Sequence, residues 1–548
     1  SLLAGHPQTS LFTLYLALAF LAYRQWSHAD QPGGLAARRW LLAAALMGLV
    51  AGGLAAVQLL PGLEYLRHTS REALSFDAKG NGFPFMDVAQ VLFPGFISLW
   101  SPLYVGIAGL ALAVLAIVRR AAHSAFFGIA ALVGLILSFG AGTVIYDLAY
   151  LVVPGVSWFR GQERAAFVVA QSAAVLAGLG AAHVLAWSIE ESARKTVRRA
   201  LIGLFTVCAV FAAALFVLWT TPDRASYEDA LRSASFATLL AALAAAVIPW
   251  AKRGPAPALA LVALVVFDLF SVTMGGPNFD PVPAGDRLPE PVLITELRAD
   301  LPPGARVDGV RGVRENYGTL YSIPDIRTIS PLRLKGVEAI LALPDDRAWD
   351  LLAVRYVLTD WEELTAPSTI IATSEDPYGP YNVHLLDSPR DFAHLVYAAT
   401  VVAGDEEAYG LLREPAFDAR AVVLLDSDPG VMLPDSAPDD PGRAVITRFE
   451  PERITIQVET ASAAILTLAL PDYPGWQATL NGDQADILRA YGGLSAVALP
   501  GAGAHTVELT FRPWTFRLGA AISGIMLLAM CGLAAVGFWR SRSAGQKS

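Results

Sequence analysis

Nine blocks of apolar residues, each close to the roughly 20 residues that a helix needs to cross hydrocarbon, constrain this chain more than any other feature. They run from Pro7 to Tyr23, Trp40 to Leu60, Leu103 to Val118, Ser124 to Phe139, Ala165 to Trp187, Ala200 to Trp219, Ala234 to Trp250, Ala256 to Met274 and Leu518 to Trp539. Segments such as Trp40 to Leu60 and Ala200 to Trp219 lack the polar stripe of a soluble amphipathic helix, so water is not their main solvent. A composition of 54% hydrophobic and 16% charged residues agrees, lying outside the usual range of soluble proteins. The expected fold class is therefore a multi-pass α-helical membrane protein with about nine spans.

The basic residues give this arrangement a direction, because short cytoplasmic loops collect Lys and Arg. Arg38 and Arg39, Arg119 and Arg120, the run Arg194, Lys195, Arg198 and Arg199, then Lys252 and Arg253, and finally Arg540, Arg542 and Lys547 all fall on one side of nine alternating spans. That places Ser1, the loops 61–102, 140–164 and 220–233, and the long insert 276–513 outside, with the C-terminus on the cytoplasmic side. No signal peptide precedes the first span, and a chain opening on Ser1 at the outer surface reads as a fragment lacking an N-terminal part.

The insert differs in kind. Residues 276–513 hold 36 acidic and 18 basic residues, a net of −18, while the remainder of the chain is +9. This split fits an acidic, outward-facing folded region on a positively flanked membrane body, and argues against a nucleic-acid partner. Helical stretches at Pro291 to Leu301 and Arg347 to Val354, leading into the strand-like run Arg355 to Thr359, predict a mixed α/β module over 276–425. The acidic, Pro-rich stretch 426–442 is the expected linker. Alternation at Ile454, Ile456 and Val458, and again at Val507, Leu509 and Phe511, with turns at Asn481, Gly482 and Gly501 to Gly503, predicts a β-sandwich-like module over 443–513. Residues 1–275 form the helical body, and 514–548 the final span and cytoplasmic tail.

The motifs of familiar soluble enzymes are absent: no phosphate-binding glycine loop, no His-Glu-x-x-His, no Cys-x-x-Cys and no Gly-x-Ser-x-Gly. Eight scattered histidines give no zinc pattern, no cofactor is called for, and no residue pattern indicates a divalent metal. Cys208 and Cys531 lie inside spans, so the outer region has no disulfide framework. His183, within a span, reads first as a hydrogen-bonded packing residue.

The informative charges are basic residues on the side where few are expected. Arg67 with Arg71, and Arg160 with Arg164, are four apart in short outer loops, a spacing that lets each pair face one way along a helix. A guanidinium pair there suits a phosphate or diphosphate held by bidentate hydrogen bonds, with Glu64, Asp87 and Glu163 close by in sequence. The same residues equally describe interfacial anchors paired with Glu64 or Glu163. Two pieces too short to span, Asn81 to Gly95 and Thr143 to Val153, either line an outer-face cavity or rest on headgroups.

At this point several motifs carry a resemblance. Ala4-Gly5-His6-Pro7-Gln8, then Gln58-Leu59-Leu60-Pro61 followed by Glu64, Ser70 and Arg71, and Phe159-Arg160 with Arg164 resemble the YfhO-type family of bacterial membrane proteins. So do Asp472-Tyr473-Pro474-Gly475-Trp476-Gln477-Ala478, Arg489-Ala490, Leu499-Pro500 with Gly503 and His505, and Arg512-Pro513 near the far end. Arg306, Asn316, Tyr317 and Asp325 sit in a context like that family's middle domain.

That family is similar to the GT-C class of membrane glycosyltransferases. The resemblance implies transfer of a sugar from a polyprenyl phosphate carrier to a cell-envelope glycan or polymer acceptor, at the outer face of the lipid bilayer. It also implies a catalytic acidic residue in a first outer loop, which would precede Ser1. Within this chain, Glu64 and Asp87 are the candidate catalytic carboxylates, and His6, Gln8, Arg67, Arg71, Arg160, Glu163 and Arg164 the candidate substrate-binding residues. The alternative is a non-catalytic, membrane-anchored protein that binds envelope glycan or assists assembly. A transporter is a weaker option, with Asp268 its main acidic candidate inside a span.

Overall fold

The computed structural model describes residues 2–4, 6–27, 33–70, 76–96, 103–186, 191–274, 292–309, 317–327, 332–376 and 379–545. The chain divides into two compact units. One holds residues 1–50 and 74–285, the other 51–73 and 286–548.

The first unit is helical: α1 (Pro7–Trp26), the first half of α2 (Gly33–Arg67), the single turn α3 (Phe76–Lys79), α4 (Ile107–Val118), α5 (Ser124–Ser138), α6 (Val144–Val152), α7 (Ala166–Ala186), α8 (Glu191–Trp219), α9 (Glu228–Val247) and α10 (Pro255–Met274). Its core gathers Ile107 and Leu112 of α4, Leu201 and Cys208 of α8, Leu240 and Ala244 of α9, and Leu261 and Leu264 of α10. In lipid, such helices associate through packing, so small residues at the contacts matter. Ala237, Ala241 and Ala244 of α9 are fully buried. A side chain on Gly180 of α7 would lie 2.1 Å from the Leu112 carbonyl oxygen of α4.

Among the described residues, six helical stretches are long and apolar enough to cross a membrane: Ala36–Arg67, Gln162–Leu185, Val197–Trp219, Arg224–Ala251, Pro255–Val272 and Trp514–Arg540. The other three expected spans are also helices, but α4 and α5 have 12 and 15 residues, and the first turn of α1 carries Gln8, Thr9 and Ser10. Left-handed backbone closes the two short ones. Gly106 (φ +81°) precedes α4 and Arg120 (φ +50°) follows it, His123 (φ +67°) precedes α5 and Gly140 (φ +55°) follows it, and each such residue breaks the helical repeat. The two non-spanning pieces fold as a 3-10 helix over Phe85–Val91 and as α6. Tyr146 and Ala149 of α6 are buried, whereas Val144, Leu148, Leu151 and Val152 are exposed.

The second unit starts with the latter half of α2, which packs antiparallel against the last helix. The remaining elements, in chain order, are α11 (Val292–Asp300), β1 (Arg306–Asp308), α12 (Tyr317–Tyr321), α13 (Lys335–Leu341), α14 (Asp345–Leu351), β2 (Val354–Thr359), β3 (Ser368–Asp376), β4 (Gly379–Leu386), β5 (Ala393–Val396), β6 (Ala398–Val401), α15 (Asp405–Arg413) and β7 (Val422–Leu425). Then follow β8 (Arg443–Glu450), β9 (Arg453–Thr460), β10 (Ala464–Pro471), β11 (Trp476–Leu480), β12 (Asp483–Ala485), β13 (Leu488–Ala490), β14 (Leu494–Leu499), β15 (Gly503–Phe511) and α16 (Trp514–Gly545).

Three sheets result, ordered β1-β2-β4-β3, β5-β10-β14-β13-β7-β6 and β12-β11-β15-β9-β8. The alternation read along β9 and β15 buries Ile454, Ile456, Val458, Val507 and Leu509 of the five-stranded sheet against Leu395, Leu466, Leu468, Val497 and Leu499 of the six-stranded one, as two packed sheets require. The opposite face of the six-stranded sheet is covered by Ile340 of α13, Trp349 of α14 and Leu412 of α15. Strands on both sides of 426–442 share this sheet, since β5 pairs with β10 and β7 with β13. The expected linker therefore does not separate two modules. It is a surface connection within one layered structure, pinned by Asp428 and Asp440 side chains that accept the amides of Gly430 and Gly442 at 2.8 and 2.9 Å.

Candidate functional site

In the first unit the turn from Gly155 to Ala165 carries the candidate cations. Two glycines with positive φ, Gly155 (+86°) and Gly161 (+75°), divide it into the 3-10 turns Val156–Trp158 and Gln162–Ala165 before α7 begins. Arg160 and Arg164 are therefore not on one regular helix face. They are linked through the backbone instead, with Arg164 Nη1 donating to the Arg160 carbonyl at 3.1 Å.

The turn is held from two directions. Gln8, at 2% exposure, donates from Nε2 to the Gly161 carbonyl (3.1 Å) and accepts from Arg164 Nη1 at Oε1 (2.9 Å). From the other side, the Gln162 amide donates to the Asn81 carbonyl at 2.6 Å, and Gln162 Nε2 reaches the carbonyls of Phe159 and Lys79 at 3.1 and 3.3 Å. Glu163 folds back on the turn, so that a side chain on Gly161 would meet its carboxylate oxygen at 2.6 Å.

Charge is left over here. Among the described residues neither arginine forms an ion pair with Glu163, and both remain exposed. The amide that orients Arg164 is neutral. An arginine steered by uncharged acceptors keeps its full charge and its remaining donors for an anion.

His6 plays a different part. Its Nδ1 lies 2.8 Å from Thr9 Oγ1 and takes the Thr9 amide at 3.4 Å, capping α1. Asp87, in the 3-10 helix over Phe85–Val91, is 5% exposed, and its Oδ1 finds no hydrogen-bond partner among the described residues. Its segment is tied to the end of α5 by Phe83 N to Ser138 O (2.8 Å) and Ala141 N to Gly80 O (2.8 Å).

The other candidates belong to the second unit. Glu64 is half-buried in the last turns of α2, with an Oε2 atom that is buried and without a partner among the described residues. Arg67 is exposed at the end of the same helix. Arg71 and Asn316 lie outside the described residues. Sequence reasoning passed over two contributors: Gln162, whose signal was its place between Gly161 and Glu163, and Tyr473, quoted only as part of a motif.

Asp268, the acidic residue inside a span, has a structural assignment. Its carboxylate accepts the Tyr104 hydroxyl at 2.5 Å and the Ala108 amide at 3.4 Å, so it caps the N-terminus of α4, where orphan amides favour an anion. Among the described residues no group of three or more His, Cys, Asp or Glu is arranged to hold a metal ion.

Residues 442–523 match the family described as "Bacterial membrane protein YfhO". The matched stretch runs from the start of β8 into α16 and includes the turn Asp472 to Trp476. A membrane family agrees with the six apolar helices. Among solved structures, the chain is similar to the arabinofuranosyltransferase AftD from Mycobacteria at 11% identity and a TM-score of 0.27, covering 92% of this chain and 44% of that one. The chain thus spans less than half the length of that protein. Comparison with curated proteins finds no match.

Proposed function

We propose that this chain is a membrane glycosyltransferase that moves a sugar from a polyprenyl phosphate carrier to a cell-envelope acceptor on the outer face of a bacterial cytoplasmic membrane. The family match and the apolar helices support the class of protein. The observation that carries the chemistry is the Arg160–Arg164 turn, with two exposed guanidiniums, one aimed by Gln8, and no carboxylate paired to either among the described residues.

In the proposed reaction an acceptor oxygen bonds to the sugar's anomeric carbon as the bond from that carbon to the carrier phosphate breaks. The phosphate leaves as an anion, which Arg160 and Arg164 stabilise. The acceptor's proton passes to a carboxylate, for which Glu64 and Asp87 are the candidates, each holding one oxygen that no described residue occupies. Sidedness has support inside the second unit. Because α16 runs antiparallel to residues 51–67 of α2, its end bearing Arg540 and Arg542 points away from the folded region, and the positive-inside rule puts that end in the cytoplasm. The alternating basic loops support nine crossings, with α1, α4 and α5 as the three less regular ones.

The test is binding of undecaprenyl phosphate to the full-length protein in proteoliposomes. Arg160→Ala and Arg164→Ala should each weaken it by roughly 10- to 100-fold, the loss expected for a charge-assisted hydrogen bond, whereas Arg224→Ala, in a different loop, should leave it unchanged. Folded variants that bind at the parental level would make these arginines plain interfacial anchors.

A further inference from the structure

The last turns of α2 are docked on the folded region by backbone and rings together. The Tyr65 hydroxyl donates to the Leu332 carbonyl at 2.7 Å. The Lys335 amide donates to the His68 carbonyl at 2.9 Å and the Ser70 amide to the Arg333 carbonyl at 3.2 Å, while buried Thr69 forms an antiparallel bridge with Leu334. Above this junction sits the turn Asp472-Tyr473-Pro474-Gly475-Trp476, inside the family-matched stretch. Gly475 (φ +111°) makes it possible, since a side chain there would meet the Phe511 ring at 2.9 Å and Pro513 at 3.1 Å. The Arg512 amide closes the turn on the Gly475 carbonyl at 2.7 Å.

Held in this way, the Tyr473 ring packs on Tyr65 (centroids 5.8 Å apart) and edge-on to His68 (5.6 Å), with Phe511 behind it at 6.2 Å. Glu64 precedes Tyr65 and shares a helix face with His68, four residues on. Burial, with the Glu64 charge next in importance and Tyr65 after it, pushes the Tyr473 phenol up to about 12, so the ring stays neutral beside the carboxylate. Asp472 is raised by burial, against the pull of Arg489 and His68 and with the push of Asp426 and Asp405. A carboxylate oxygen kept dry and unpaired is costly, and it persists only where the surroundings fix it.

We infer that Tyr473 is a positioning residue for Glu64: packed on Tyr65 and His68, its ring fixes the last turns of α2 and keeps one oxygen of the Glu64 carboxylate out of water. The consequence for transfer rests on the proposed role of Glu64 as proton acceptor.

The position itself is read without activity, by carbodiimide and glycine ethyl ester labelling of the full-length protein in proteoliposomes, followed by mass spectrometry. Tyr473→Ala should speed labelling of Glu64 by about tenfold and Tyr473→Phe, which keeps the ring, by less than about twofold, while Glu228 labels at the parental rate in every variant. Unchanged labelling of Glu64 in Tyr473→Ala overturns the inference. Transfer from undecaprenyl phosphate-linked hexoses and pentoses then separates the two claims. If Tyr473 acts through Glu64, the double variant Tyr473→Ala with Glu64→Gln transfers no more slowly than Glu64→Gln alone. Multiplied losses overturn the functional link. Full activity of Glu64→Gln overturns the role of Glu64 as proton acceptor, while the labelling result still decides what Tyr473 holds.

Discussion

Gln8 carries more of the candidate site than its neutral side chain implies, because one amide both fixes the Gly161 carbonyl and aims Arg164. Gln8→Ala leaves both groups short of a partner, at a cost of roughly 1–3 kcal/mol, and should weaken undecaprenyl phosphate binding. Gln8→Glu should weaken it further although the site stays packed, because the new carboxylate neutralises Arg164. Equal affinity in the two variants would show that charge at Arg164 is irrelevant. Of this arrangement the sequence displayed the two arginines and the motif containing Gln8. It did not display the break at Gly161, so a four-residue spacing read as one helix face is in fact two short turns joined by a backbone hydrogen bond. A second residue-scale expectation concerns pH. Burial, helped by Arg390 and Arg420, holds the His394 imidazole down at about 4 instead of 6.5. Between those values the unfolded chain binds the extra proton, so the stability owed to neutral His394 is complete above pH 6.5 and is lost as pH falls toward 4. His394→Gln should flatten the fall in thermal midpoint across that window; an unchanged slope would place the acid sensitivity elsewhere.

Between elements of the second unit, α2 meets α16 at close range. Ser523 Oγ donates to the Gly53 carbonyl and accepts the Val57 amide, both at 3.0 Å, and a side chain on Gly519 would lie 2.4 Å from the Ala56 carbonyl oxygen. Gly519→Ala should therefore separate the helices and lower the thermal midpoint. Gly524→Ala in the same helix, where nothing lies within 4 Å, should be neutral or stabilising by up to about 1 kcal/mol. Equal effects would mean that this contact contributes nothing. Hydropathy located both helices but not their facing sides, since lipid and a neighbouring helix look alike to an apolar residue. It also began α4 at Leu103, where the helix opens only after Gly106 with its positive φ, and carried α5 on to Phe139, one residue past its end at Ser138 and next to Gly140, whose φ is also positive.

For the whole molecule, the acidic balance of 276–513 was legible because composition follows the chain, whereas the membership of residues 51–73 in the second unit was not. Nor was the sheet order, because strand pairing between residues such as Ala393 and Leu468, or Leu425 and Ala490, leaves no local trace. Two expectations belong here. Single cysteines near Asp360 and Gly482 should be labelled from outside intact cells and those near Arg120 or Lys195 should not; labelling at both sets would undo the proposed sidedness. The stretch Gly276 to Pro513, produced alone, should retain its sheets but lose hydrogen-exchange protection at the Lys335 amide, whose acceptor, the His68 carbonyl, has been cut away. Protection equal to that in the full-length protein would show that α2 is not needed there.

The interleaved six-stranded sheet also sets a timetable. β5 has its partner in β10, and β7 pairs on one side with β13, so the earlier strands wait with open edges until the chain reaches Pro471 and Ala490 respectively. At synthesis rates of roughly 5–20 residues per second, each wait is on the order of 3–15 s. Throughout it, apolar β5 and β7 are exposed to any other unpaired edge nearby. The sheet is complete at Leu499, and one further strand, β15, separates that point from Trp514, where α16 begins. During biosynthesis, then, the last helix reaches the membrane at nearly the moment when the waiting strands find their partners, and a delay in either step prolongs the aggregation-prone state of the other.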